Sequence, residues 1–114
     1  MWYFFPQLRG LGTSARSSRF GLSGLDEARA YLTHPGLGAR LNQCCELLLK
    51  VRGRSAREIL GSPDDLKLHS CATLFAIAAP PHSVFERVLD GFFGGQLDAV
   101  THRLLAEDGE IERQ

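Results

Sequence analysis

The chain has 114 residues, 44% hydrophobic and 23% charged, with a formal net charge of zero. That length fits one domain able to bury roughly two-thirds of its unfolded surface, and the composition is that of an ordinary soluble globular protein. No apolar run reaches the length of a membrane span, and the opening Met1-Trp-Tyr-Phe-Phe-Pro6 lacks the length and basic leader of a signal peptide, so the expected location is the cytoplasm.

The zero balance hides an asymmetry. Residues 1–57 carry nine basic residues against Asp26, Glu27 and Glu46, a balance of +6, and residues 58–114 carry four against ten acids, a balance of −6. Because the basic residues are spread along the chain, mutual attraction of two halves of one fold accounts for them better than a phosphate-binding face. Cys44, Cys45 and Cys71 match no metal-ligand spacing and cannot form a complete disulfide set. Buried, reduced thiols are expected.

In chain order, Trp2, Phe4, Phe5 and Leu8 form an extended aromatic arm over residues 1–12, which Pro6 keeps from being a regular helix. Gly10-Leu-Gly12 is a turn, and Ser14 to Phe20 a short Arg-rich helix. A helix capped at Ser23 or Gly24 buries Leu25, Ala28, Tyr31 and Leu32 and stops before Pro35. Leu37 to Val51 is the longest amphipathic segment, with Leu37, Leu41, Cys44, Leu48 and Val51 on its buried stripe and Arg40 outward. Ser55-Ala-Arg-Glu58 is a capping box opening a short helix that ends at Gly61.

The segment from Gly61 to Pro80 organises the rest. Ser62 caps it, Pro63 fits its first position, Asp64 and Asp65 complement its dipole, and Pro80-Pro81 ends it. Leu66, Leu74 and Ile77 lie on one side and Leu68, Cys71, Phe75 and Ala78 on another. A helix apolar nearly all round belongs in the middle of a domain, here over about residues 63–79. Ser83-Val-Phe-Glu86 is a further capping box, and its helix buries Val84, Phe85, Val88, Leu89 and Phe92 before Gly94-Gly95. Asp98 caps a last helix carrying Val100, Leu104 and Leu105, and 107–114 is an acidic tail. With no alternating β-pattern of useful length, the reading is an all-α fold: one compact multi-helical domain over residues 1–106 around a central buried helix.

Several stretches together resemble a known bacterial family, the domain of unknown function 1810. They are Trp2-Tyr-Phe-Phe-Pro-Gln-Leu-Arg-Gly-Leu-Gly12, Asp26-Glu-Ala-Arg-Ala-Tyr-Leu-Thr-His-Pro35, Gly61-Ser-Pro-Asp-Asp-Leu-Lys-Leu-His-Ser70, Thr73-Leu-Phe75, and Gly95-Gln-Leu-Asp98 with Thr101. The resemblance runs from Met1 to about Leu105 and implies a compact multi-helical domain with no established activity. Family members usually carry a further helical segment before the aromatic motif, which implies that Met1 is an internal methionine and that the N-terminal segment is truncated. Phe20, Gly24 and Cys71 stand where the family more often has tyrosine, serine and serine.

The polar constellation in that central helix, Asp65, Lys67, Ser70 and Thr73, also coincides with the resemblance. Lys67, Ser70 and Thr73 at three-residue spacing are able to line a groove for an anion or sugar-phosphate, closed over by Trp2, Gln7 and Arg40. The competing reading has Asp65 capping, Lys67 paired with a neighbour and both hydroxyls bonded back to the helix, and it is the stronger of the two because buried polar groups are normally satisfied structurally. A Ser70–Lys67 catalytic pair runs in the reverse of the Ser-x-x-Lys order and has no nucleophile elbow. His34, His69, His82 and His102 are scattered, so neither a metal nor a cofactor is expected. Trp2 to Phe5 with Arg9, Arg16 and Arg19 invites a nucleic-acid reading, which the density of the aromatics and a pI near 6.9 disfavour.

The expected function is therefore a non-catalytic binding or protein-interaction module. The alternative is an enzyme or binder for a nucleotide-like or phosphorylated small molecule through Lys67, Ser70 and Thr73. Expected partners are a small anionic metabolite, a protein, or a second copy met through the aromatic N-terminus.

Overall fold

A computed structural model of the chain describes residues 24–51, 53–61 and 64–107. The aromatic arm, the Arg-rich helix, the caps at Ser23, Ser62 and Pro63, and all but the first residue of the acidic tail lie outside these. The described residues form six helices: α1 Leu25–Thr33, α2 Leu37–Leu49, α3 Ala56–Leu60, α4 Asp64–Ala78, α5 Val84–Phe92 and α6 Ala99–Glu107. The fold is all-α.

Helix α1 begins after Gly24, which has no side chain of its own to cap it. It ends at His34, whose extended backbone is the conformation a following proline requires. The His34 imidazole then starts α2: its Nδ1 accepts the backbone N–H groups of Gly36 and Leu37, each at 3.1 Å, so the neutral ring carries its proton on Nε2. The α1–α2 joint is tight, because a Cβ on Gly38 would stand 2.1 Å from the Leu32 carbonyl oxygen. Only glycine fits there.

Helix α2 stops two residues earlier than the apolar stripe suggests. The amides of Lys50 and Val51 turn back to the carbonyls of Leu47 and Leu48, three residues away, and this tightened end leaves Val51 exposed. Leu37, in the first turn, is also exposed, and the buried seam is Leu41, Cys45 and Leu48. In α3 the capping box is complete: Ser55 Oγ accepts the Glu58 N–H at 3.1 Å, and Glu58 Oε1 accepts the Ser55 N–H at 2.9 Å. Gly61, at φ +79°, ends it.

Helix α4 is the axis, packing against α1, α3, α5 and α6, while α2 packs on α1 and α5. Leu68, Cys71, Ala72, Leu74, Phe75 and Ala78 are all buried. Phe75 sits between Tyr31 and Phe85, with ring centroids 5.7 and 5.3 Å away, a burial that contributes about 2–3 kcal/mol. Arg29 Nε donates to the Ala78 carbonyl at 3.2 Å and satisfies one acceptor at the end of α4. Leu66, expected on a covered side, is instead 60% exposed, since the contact with α6 begins one turn later at Ser70.

The start of α5 departs from the expected capping box by one residue. Ser83 Oγ accepts the Glu86 N–H at 3.4 Å, but the Glu86 carboxylate takes the N–H of His82 rather than that of Ser83. His82, at φ +65°, is the turn residue after Pro80-Pro81. In α6 the inward residues are Thr101 and Leu105, both fully buried, and Val100 is 42% exposed. Capping by Asp98 turns Thr101 inward, which rotates Val100 out.

Candidate functional site

Ser70 and Thr73 lie one turn apart on the side of α4 that meets α6, and both are buried. Each hydroxyl donates to the carbonyl four residues earlier, Ser70 Oγ to Leu66 at 3.1 Å and Thr73 Oγ1 to His69 at 2.8 Å. Thr73 Oγ1 also accepts the backbone N–H of Asp98 at 2.8 Å. The Asp98 carboxylate caps α6, its Oδ2 accepting the Thr101 N–H at 3.0 Å and the Thr101 hydroxyl at 2.7 Å, with Ser70 Oγ more distant at 3.4 Å. Next to this, His69 Nε2 lies 2.8 Å from the Gln96 carbonyl, a geometry in which the ring N–H donates, and the imidazole stacks on Phe93 at 4.1 Å. Residues 69, 70 and 73 of one helix thus hold the whole Phe93–Asp98 linker and the first turn of α6.

The remaining described residues of the predicted set, Asp65, Lys67 and Arg40, make no side-chain bond to this joint. Lys67 Nζ is 3.9 Å from Asp64 Oδ1, and its side chain is about one-third exposed. Asp65 Oδ1 is buried and has no hydrogen-bond partner among the described residues. Arg40 is exposed on α2, and its charge lowers the pKa of Tyr31 against the larger raising effect of burial. Trp2 and Gln7 lie outside the described residues. Ser70 and Thr73 thus meet at the joint, and among the described residues no hydrogen bond or ion pair links Lys67, Asp65 or Arg40 to them.

A concave feature of the described residues lies elsewhere. A hollow of about 570 Å³ opens between the C-terminal half of α4, the α5 face carrying Glu86, Arg87 and Asp90, and the linker at Gly95 and Leu97. Sequence reading missed it. The Pro80-Pro81-His82 turn, which folds α5 back along α4, is its only local signal. Among the described residues no group of three His, Cys, Asp or Glu side chains is placed to hold a metal ion, and no helix is long and apolar enough to cross a membrane. Burial raises the Cys45 thiol to about 12 and Cys71 well above its ordinary value, so both are neutral, and all three described cysteines are free.

Central helix, packed partners and polar joint define a small all-α domain. The chain belongs to the family described as protein of unknown function DUF1810, whose model matches residues 1–105. It is also similar to the conserved hypothetical protein Rv1873 from Mycobacterium tuberculosis, known from a crystal structure: the two are 51% identical with a TM-score of 0.89, over 92% of this chain and 75% of that one. No curated protein matches the chain.

Proposed function

We propose that this domain is a non-catalytic binding or interaction module that receives its ligand between α4 and α5. The carrying observation is the hollow of about 570 Å³, a volume within the usual range for ligand sites, with apolar walls and a few charged groups. Further support comes from the hydroxyls of Ser70 and Thr73. Both donate within the helix, and Thr73 Oγ1 also accepts from Asp98, so the pair is already committed to the fold. The three free thiols agree with residence in a reducing compartment such as the cytoplasm.

A thermal-shift screen of metabolites and short peptides against the wild type, Lys67→Ala and Leu97→Ser tests this reading. A stabilising ligand that loses its effect in Leu97→Ser, keeps it in Lys67→Ala and is recovered chemically unchanged is the expected result. A ligand that depends on Lys67, or is turned over, would favour the phosphorylated-substrate alternative.

A further inference from the structure

We infer that the hollow between α4 and α5 selects an organic cation, an ammonium or guanidinium head on a short apolar stem. This rests on the binding role proposed above and names its ligand class.

The charge balance of the lining carries the argument. Arg87, the guanidinium of that lining, is held at 2.6 Å by Glu46 of α2. The formal charges of the lining are the carboxylates of Glu86 and Asp90 and the guanidinium of Arg87, with the His82 ring beside them. Glu46, outside the lining, offsets Arg87, so the balance in the hollow is negative. A phosphate or carboxylate ligand is repelled there and a cation is drawn in. Glu86 and Asp90 are four residues apart on α5 and so present their carboxylates on one face. Glu86 is already oriented by the His82 N–H, and a carboxylate so engaged still has lone pairs for a second donor.

The rest of the lining suits a stem. Ala76 and Ile77 are half-buried on α4, and Leu97 on the facing linker is 42% exposed. An alkyl chain laid between them covers apolar surface that water otherwise meets, while its charged end reaches the carboxylates. The linker closes on that end without a side chain of its own: a Cβ at Gly95 would stand 3.0 Å from Asp90 Oδ1. Such a head and stem belong equally to a free diamine and to a lysine or arginine side chain of a partner.

Amide chemical-shift mapping on the full chain separates these cases. The probes are 1,4-diaminobutane and acetyl-Ala-Lys-Ala-amide as cations, with 1-butanol and butyrate as neutral and anionic controls of similar stem. Both cations are expected to shift the amides of Ile77, Leu89 and Leu97, at least about tenfold more tightly than the controls, and Asp90→Asn and Leu97→Ser each to weaken them about tenfold. Tighter binding of the peptide assigns the seat to a partner's side chain, and tighter binding of the diamine to a free amine. Control binding as tight as that of the cations, or cation binding unchanged in Asp90→Asn, overturns the cation selectivity and leaves the binding role standing. No shift with any of the four probes overturns the cation site and leaves the binding role to the metabolite and peptide screen.

Discussion

Thr73 and Asp98 are joined across 25 residues of chain by a single contact, the Asp98 backbone N–H donating to Thr73 Oγ1 at 2.8 Å. Thr73 is fully buried and Asp98 partly so, which places this bond at the edge of the core. The same Asp98 caps α6 through its carboxylate. One hydroxyl on the central helix therefore fixes where the last helix begins.

Thr73→Val keeps the shape of the side chain and removes the acceptor. Leaving the Asp98 N–H unpaired at this part-buried joint costs about 1–3 kcal/mol, and the shape-keeping change leaves the urea m-value as it is. Thr73→Ser is expected to restore most of the loss. Urea denaturation of the three proteins reads the difference directly.

Asp98→Ala removes the α6 cap and the partner of the Thr101 hydroxyl together. A loss of about 1–2 kcal/mol follows from the cap, with Thr101→Val and Asp98→Ala less than additive because they share this bond. Loss of amide protection over Ala99–Leu105, with α1 and α2 unaffected, is the accompanying signature in hydrogen exchange.

Gly38→Ala tests the α1–α2 joint. Its Cβ would meet backbone at 2.1 Å, and backbone has no rotamer into which to retreat. A destabilisation of at least about 3 kcal/mol is expected in thermal or urea melts. Gly36→Ala, whose Cβ finds only the His34 ring at 3.5 Å, serves as the mild control.

The buried thiols set a high-pH limit on stability. Cys45 is raised from 9.0 to about 12 by burial first and then by the neighbouring Cys44 and Glu46, and Cys71 is raised by burial and Cys45. An acid whose folded pKa lies above its unfolded value keeps its full contribution below pH 9 and loses it as the pH climbs toward 12. Stability is thus expected to fall above pH 9 by about 1.4 kcal/mol per pH unit for each thiol. Cys45→Ala should flatten that slope by one such contribution in a series of urea melts.

Much of this fold is legible because its signals are local. Ser55 and Glu58 lie three residues apart, Asp98 sits one residue before α6, and the apolar residues of α4 state its central position without reference to any partner. The hydroxyls of Ser70 and Thr73 were legible only as alternatives, since their i−4 bonds are local but the Asp98 amide that selects the structural arrangement is far along the chain. Leu66, Val51 and Val100 read as buried because periodicity marks a face without marking where a neighbouring helix ends or how a cap rotates it. Of the hollow between α4 and α5 the sequence carried no more than the Pro80-Pro81-His82 turn. Its walls come from α4, the turn at His82, α5 and the linker, and its charge depends on Arg87 meeting Glu46 of α2.

The central claim is that the polar side of α4 is a joint for α6, and native-state hydrogen exchange at the Asp98 amide tests it most directly. The account predicts protection close to that of the α4 core amides in the wild type, falling at least tenfold in Thr73→Val while Leu74 and Phe75 keep their relative protection. Rapid exchange of the Asp98 amide in the wild type, or a rate that does not respond to Thr73→Val, would contradict it and return Ser70 and Thr73 to the list of groups free to meet a ligand.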